Sequence, residues 1–349
     1  ILSGLVGSEM CIRDSITIVP NGKSHGLILF IDWSGSMVHF LENTVKQLLN
    51  LVLFCKKVGI PYEVYAFSSV YTSEEYGTTK CHGKAAEYEK DDIIMADFSL
   101  MNVLSSRMSA ADFSYMSNTL LNAGRNYRYF PTWFHLGGTP LNESVFTAIK
   151  IVPEFKQKYR LDIVNTVFLT DGEGHTLNSL YDSTEPNRPI WNGGVPVTSR
   201  QVYCNWRTAI VLRHKSSKVS EMVEAEGNYN AGEPYTSAAL KILKKVVGCN
   251  VIGFFLISRR DFRNVVKKFP ENVDRAAITK KFTEDNSVVV AHMGYDEYYI
   301  INSSVGADEG DEFVSEAKTK SKLAKDFMQY NSRKIINRTV LHRFIGLIA

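Results

Sequence analysis

The sequence predicts an α/β fold: a doubly wound, mostly parallel sheet with helices on both faces and two insertions. Three observations carry that expectation. Residues 26–67 read strand, helix, strand, a βαβ unit whose two strands lie parallel. Two apolar runs, 26–31 and 163–170, each stop at an acid, Asp32 and Asp171. No internal repeat or low-complexity linker divides the 349 residues, which suffice for one large core.

The elements follow in order. Gly26–Met37 (GLILFIDWSGSM) is a buried strand running into a loop. Leu41–Val58 carries apolar residues at 41, 45, 48, 49, 52 and 53, the pattern of a helix laid on a sheet, and Gly59-Ile60-Pro61 stops it. Tyr62–Phe67 alternates as a strand. Residues 69–131 form the first insertion. Within it 69–97 is a charged surface excursion, 98–104 a strand, and 110–123 a helix capped by Ser109.

Thr139-Pro140 then reads as an N-cap followed by a first-turn proline, opening a helix to about Tyr159. Residues 162–170 form a buried strand. The second insertion, 172–234, contains a β-like run at 208–213 and a hairpin with its tip around Gly227–Gly232. A helix through Leu240, Leu243, Val246 and Val247, a buried strand 250–257 and a helix 260–268 follow. Short strands are expected at 287–292 and 298–301. Two amphipathic helices, 322–330 and 334–348, close a C-terminal section spanning 318–349.

Composition excludes several classes. With 44% hydrophobic and 22% charged residues the chain is globular, and a net charge of +3 does not predict nucleic-acid binding. No apolar stretch approaches the roughly 18–20 residues of a membrane span. Cysteines 11, 55, 81, 204 and 249 are odd in number and never spaced Cys-x-x-Cys, which fits a reducing compartment and argues against a zinc ribbon. Cys81, His82 and His135 lack the spacing of a metal set. Residues 1–15 (ILSGLVGSEMCIRDS) resemble a translated sequencing-adapter scar and are set aside, so an original N-terminal part is expected to be missing. Glu9 interrupts their apolar run, which argues against a signal peptide.

Asp32, Ser34 and Ser36 place three oxygens at alternate positions, and Gly35 lets the loop turn between the serines. Such ligands are hard, suiting Mg²⁺ or Mn²⁺ rather than zinc or copper. Three ligands do not complete an octahedron, so further oxygens are expected downstream. Thr139 is one candidate, with the plain N-cap role standing beside it. Asp171, in Thr-Asp-Gly, is the other. Alone it is a turn residue; ending a second strand beside Asp32, it lies where doubly wound sheets bind ligands.

Asp32-x-Ser34-x-Ser36, the Gly-Gly-Thr139-Pro loop and Thr-Asp171-Gly together resemble the three metal-site loops of the von Willebrand factor A (vWA) family. The resemblance implies that Ser34 and Ser36 bind Mg²⁺ directly. Thr139 would bind directly or through water, and Asp32 and Asp171 mostly through water. The open position would accept a partner protein's carboxylate.

QLLNLVLFCKKVGIPYEVYAFSS, LGGTPLNE, FLTDGEGH and the ending NRTVLHRFIGLIA further resemble vWA proteins of tailed phages described as similar to the CobT subunit of cobalt chelatase. That likeness implies an AAA+ ATPase partner of the MoxR/CobS type and a place in the host cytoplasm. It implies a role as an interaction module with no catalysis of its own. The alternatives are a chelatase subunit acting on a tetrapyrrole, and a virion or adhesion component. Departures are the insertions and the lack of a preceding acidic region.

Other chemistry is weaker. Gly22-Lys23-Ser24 precedes the strand a P-loop must follow, and Thr17 stands where its first glycine belongs. Ser34 replaces the second acid of an Asp-x-Asp phosphatase. Hydrolysis by Asp32 or Asp171 with Glu173 as base is a further, weaker reading. His135 and His175 read as loop histidines, Trp33 as either a core or a partner-contact residue, and the lysines at 318, 320, 322 and 325 as a wet helix face.

Overall fold

The computed structural model describes residues 23–69, 91–95, 98–126, 134–175, 177–180, 189–192, 195–201, 210–223, 232–267, 269, 273–290 and 294–303. Segment 1–15, Cys81-His82, the stretch 224–231, the lysine run from 318 and both expected C-terminal helices lie outside them.

In chain order the elements are β1 (His25–Asp32), a 3-10 turn (Ser36–His39), α1 (Leu41–Val58), β2 (Tyr62–Ser69), β3 (Ile93–Ile94), β4 (Phe98–Ser105), α2 (Ala110–Asn126), α3 (Leu141–Tyr159) and β5 (Ile163–Thr170). Then come β6 (Asn178–Leu180), β7 (Pro189–Asn192), β8 (Val195–Gln201), β9 (Ile210–Arg213), β10 (Ser220–Val223) and α4 (Glu233–Val247). The described chain ends with β11 (Asn250–Ile257), α5 (Arg259–Lys267), α6 (Arg275–Asp285), β12 (Ser287–Val290) and β13 (Glu297–Asn302).

Seven strands form one sheet in the order β12-β13-β11-β5-β1-β2-β4. The five inner strands run parallel, and β4 and β12 pair antiparallel at the two edges. From β1 the chain winds outward through β2 to β4, then crosses back to β5 on the other side of β1. The strand order therefore reverses between β1 and β5, and loops leaving their carboxyl ends open a crevice there. The fold is the expected doubly wound α/β sheet.

Alternation along β1 divides the core. Leu27, Leu29 and Ile31 face one layer with α1 and α2; Ile28 and Phe30 face the other with α3 and α4. Such two-sided burial explains why β1 reads as a continuous apolar run. Phe30 stacks between Tyr65 and Phe168 at centroid distances of 5.5 and 4.9 Å. Burying one such ring contributes about 1.5–3 kcal/mol. Leu41, Val45, Leu48, Leu49 and Val52 form the buried stripe of α1. At the far pole Asp162 accepts from both the amide and the hydroxyl of Ser24, at 2.7 and 2.9 Å. Ser24 thus closes the N-terminal ends of β1 and β5, away from the crevice.

Two small sheets stand apart from the main one. β3, from the 69–131 stretch, pairs with β6, and β6 pairs with β8 and β8 with β7. β9 and β10 form a hairpin. Its turn falls at 214–219, where His214 N donates to Val219 O at 2.8 Å. The tip expected around Gly227–Gly232 falls almost wholly outside the described residues, and Gly232 is the N-cap of α4. Helix α6 was also not expected. Its start carries a local signal, Asp274 accepting from Ala277 N at 2.9 Å. Ser109 caps α2 as expected, accepting from Asp112 N at 3.1 Å.

Candidate metal centre

β1 delivers Asp32 to the switch point, where it is wholly buried. Thr170, the last residue of β5, donates to Asp32 Oδ2 at 2.7 Å and accepts from Gly172 N at 3.0 Å. Asp32 Oδ1, equally buried, has no hydrogen-bond partner. An orphaned carboxylate oxygen at such a site is costly unless a cation or water completes it.

Beyond Asp32 the loop turns over. Ser34 is 1% exposed, whereas Ser36 opens the 3-10 turn and faces solvent. Their hydroxyls lie 3.0 Å apart, and Ser36 donates to Asp171 Oδ1 at 2.8 Å. The first and last loops are thereby joined across 135 residues of sequence.

The middle loop is held by backbone and by β2. Ser34 bridges Gly137 in parallel fashion, with Gly35 N donating to Gly137 O at 2.9 Å. Gly137 N reaches Ser68 Oγ at 3.0 Å, and Gly138 N reaches Ser69 Oγ at 2.6 Å. A Cβ on Gly137 would overlap the Ser69 carbonyl, so only glycine permits this approach. Thr139 follows, 7% exposed.

The N-cap expected at Thr139 is not there. Pro140 occupies the N-cap of α3, and no side chain caps it. The reason is tertiary: β1 and β2 hold the backbone of Gly137 and Gly138, and Thr139 follows them toward Asp32. Its hydroxyl lies near Asp32, and a Cβ on Gly172 would stand 3.3 Å from its Oγ1.

Five side chains from three loops thus converge: Asp32, Ser34, Ser36, Thr139 and Asp171. Burial pushes the Asp32 carboxyl up to about 7, opposed mainly by the Thr170 hydrogen bond and reinforced by the Asp171 charge. Ser34 and Thr139 act with Thr170 to hold it down. Asp171 is also raised, by burial first, against the Ser36 hydrogen bond. Neither carboxylate has an ion-pair partner among the described residues. Two uncompensated acids and three hydroxyls are a hard, oxygen-only donor set, and it fits Mg²⁺ or Mn²⁺. No cluster of three His, Cys, Asp or Glu side chains suited to a metal occurs among the described residues.

Of the flanking candidates, His135 and His175 are exposed and Glu173 is half-buried. Trp33 is a core residue: 1% exposed, it donates Nε1–H to Phe134 O at 2.9 Å and packs on the Phe134 ring. Residues that sequence reasoning missed are Ser68, Ser69 and Thr170, which hold the loops from strand ends. Only their position at strand termini could have marked them.

No protein-family model and no curated protein matches the chain. Among solved structures it is similar to the pilus adhesin SpaC from Lactobacillus rhamnosus GG, with TM-score 0.37 and 15% identity over 68% of this chain and 24% of that one. It is also similar to the vWF domain of the type V pili tip protein Mfa5 from Porphyromonas gingivalis, with TM-score 0.36 and 8% identity over 81% of this chain and 91% of that one. The chain therefore spans about a quarter of the SpaC structure it matches. At TM-scores below 0.5 neither match assigns a family or an activity. What fold and site define together is a doubly wound α/β domain with an oxygen-rich crevice at its topological switch point. No helix among the described residues is long and apolar enough to cross a membrane.

Proposed function

We propose that this chain is a vWA-type interaction module. In it Asp32, Ser34, Ser36, Thr139 and Asp171 hold Mg²⁺, or Mn²⁺ in its place, and the ion offers an open position to a carboxylate of a protein partner. The observation that carries the reading is the orphaned Oδ1 of buried Asp32, at the point where three hydroxyls and a second acid converge. Neutral hydroxyls neutralise little of the ion's charge, so it keeps affinity for an incoming anion. The reading assigns this chain binding through the ion and no catalysis of its own. The partner that fits the sequence resemblance is an AAA+ ATPase of the MoxR/CobS type, in the cytoplasm of a phage host.

The test has two stages. Thermal unfolding in EDTA, Mg²⁺ and Mn²⁺ should show a midpoint rise with either cation, because a ligand bound only by the folded state stabilises it. Asp32→Ala should abolish that rise. Capture of the purified ATPase should then require the cation and fail with Asp32→Ala. Identical midpoints in EDTA and millimolar Mg²⁺ would overturn the metal reading. Cation-dependent stabilisation without ATPase capture would overturn the partner alone. Tetrapyrrole titration and mass spectrometry of purified particles then separate a chelatase subunit from a virion or adhesion component.

A further inference from the structure

Behind the Asp171 loop lies a polar junction that none of the five candidate ligands enters. Asn142, in the first turn of α3, is completely buried. Its Nδ2 donates to His175 O at 2.7 Å, and its Oδ1 accepts from Thr236 Oγ1 of α4 at 2.6 Å. One amide thus uses both ends, one on the loop that carries Asp171 and one on a helix. Thr236 is 1% exposed, and its hydroxyl also lies 3.2 Å from Gly232 O.

The backbone is fitted to this junction. A Cβ on Gly174 would stand 2.9 Å from both amide atoms of Asn142 and from Thr236 Oγ1. A Cβ on Gly232 would overlap the Gly174 carbonyl. Residues 174–175 therefore lie directly against the start of α4, locked by an amide that satisfies both neighbours. A lone buried asparagine is expensive to place in a core, and a leucine would fill the volume without orphaning anything of its own. Its distinctive property here is simultaneous donation to the loop and acceptance from the helix.

We infer that Asn142 is a positioning residue for the metal centre: it fixes the 171–175 loop against α3 and α4 so that Asp171 meets Ser36. The inference rests on the metal reading above. The same junction ties the loop to the inserted β9–β10 hairpin, since α4 carries Lys245, which pairs with Glu221 of β10. Groups that orient ligands from behind typically change metal affinity by about 10–100-fold when removed.

Asn142→Asp is the discriminating variant. It keeps the shape and can accept from Thr236, but once its carboxyl is ionised it cannot donate to His175 O, so the comparison is made at a pH where it is ionised. Thr236→Val removes the other arm, and Leu240→Ala, buried in α4 away from the loop, supplies a control for plain destabilisation. Mg²⁺ affinity is read by calorimetric titration, and amide exchange is followed at residues 171–175 and 252–256. Asn142→Asp should weaken Mg²⁺ binding at least tenfold and speed exchange at 171–175 while leaving 252–256 protected. Leu240→Ala should lower the unfolding midpoint with its Mg²⁺ affinity intact. If Asn142→Asp lowers the midpoint equally in EDTA and Mg²⁺ with affinity unchanged, Asn142 is structural only and the inference is overturned. If the wild-type protein itself binds no Mg²⁺, the metal reading falls first, and with it the role assigned to Asn142.

Discussion

Two carboxylates are buried in the sheet, and they are treated in opposite ways. Glu63, near the start of β2, is 3% exposed and fully partnered. Ser105 Oγ and Arg107 Nε donate to its Oε1 at 3.0 and 3.1 Å, and Asn102 Nδ2 to its Oε2 at 3.0 Å. These bonds pin β4 to β2 across the irregular register at Val64/Tyr65. Asp32, at the opposite pole, has a hydrogen bond from Thr170 on Oδ2, none of bonding geometry on Oδ1 though the Ser34 and Thr139 hydroxyls lie near, no cation, and a second acid nearby. The fold supplies a cation where a carboxylate serves architecture. At the switch point it withholds one, and the deficit is what an added metal ion would fill.

Neutralising the two acids should therefore change stability in opposite directions. The largest effect is expected for Asp32→Asn in EDTA. Because the folded-state pKa of Asp32 is raised from 3.8 to about 7, ionisation opposes folding. The metal-free protein is most stable with respect to this group below pH 3.8 and loses that contribution as pH rises to about 7. Asp32→Asn should remove the pH-dependent loss, gaining about 4 kcal/mol at pH 8 by urea denaturation, and should lose all response to Mg²⁺. An unchanged pH profile would mean that Asp32 is compensated already.

A smaller effect of reversed sign is expected for Glu63→Gln. It breaks a charge-assisted bond in a satisfied network and should cost about 1–2 kcal/mol, equally with and without Mg²⁺. Smallest is Arg107→Ala. The Arg107 side chain is 53% exposed, so solvent screens most of its attraction and the loss should stay under about 1 kcal/mol. A loss for Arg107→Ala exceeding that for Glu63→Gln would show that the cation, not the hydrogen-bond network, holds this edge.

The contrast also separates what the sequence could reveal from what it could not. β1, α1, β2, α3, β5 and β11 were legible because period-2 and period-3.6 burial is written locally. Asp32 and Asp171 were legible as acids ending buried runs. For Thr139 the sequence leaves two roles side by side, ligand and N-cap, because Thr-Pro is a common helix start; the grip of Ser68 and Ser69 on Gly137 and Gly138 takes it away from the cap. Those contacts join residues 69 positions apart and leave no spacing pattern. Asn142 was hidden for the same reason, its partners lying 33 and 94 residues away. Edge strand β4 was visible as a strand, but its antiparallel direction follows from the chain path and not from composition.

The pairing of β3 with β6 has a practical corollary for anyone trimming this protein. Ile93–Ile94 and Asn178–Leu180 belong to different excursions from the sheet, yet their main chains complete one another. Deleting either excursion would leave the other with bare amides and carbonyls, a sticky ribbon prone to recruit a second molecule. A minimal version should shed both together or neither.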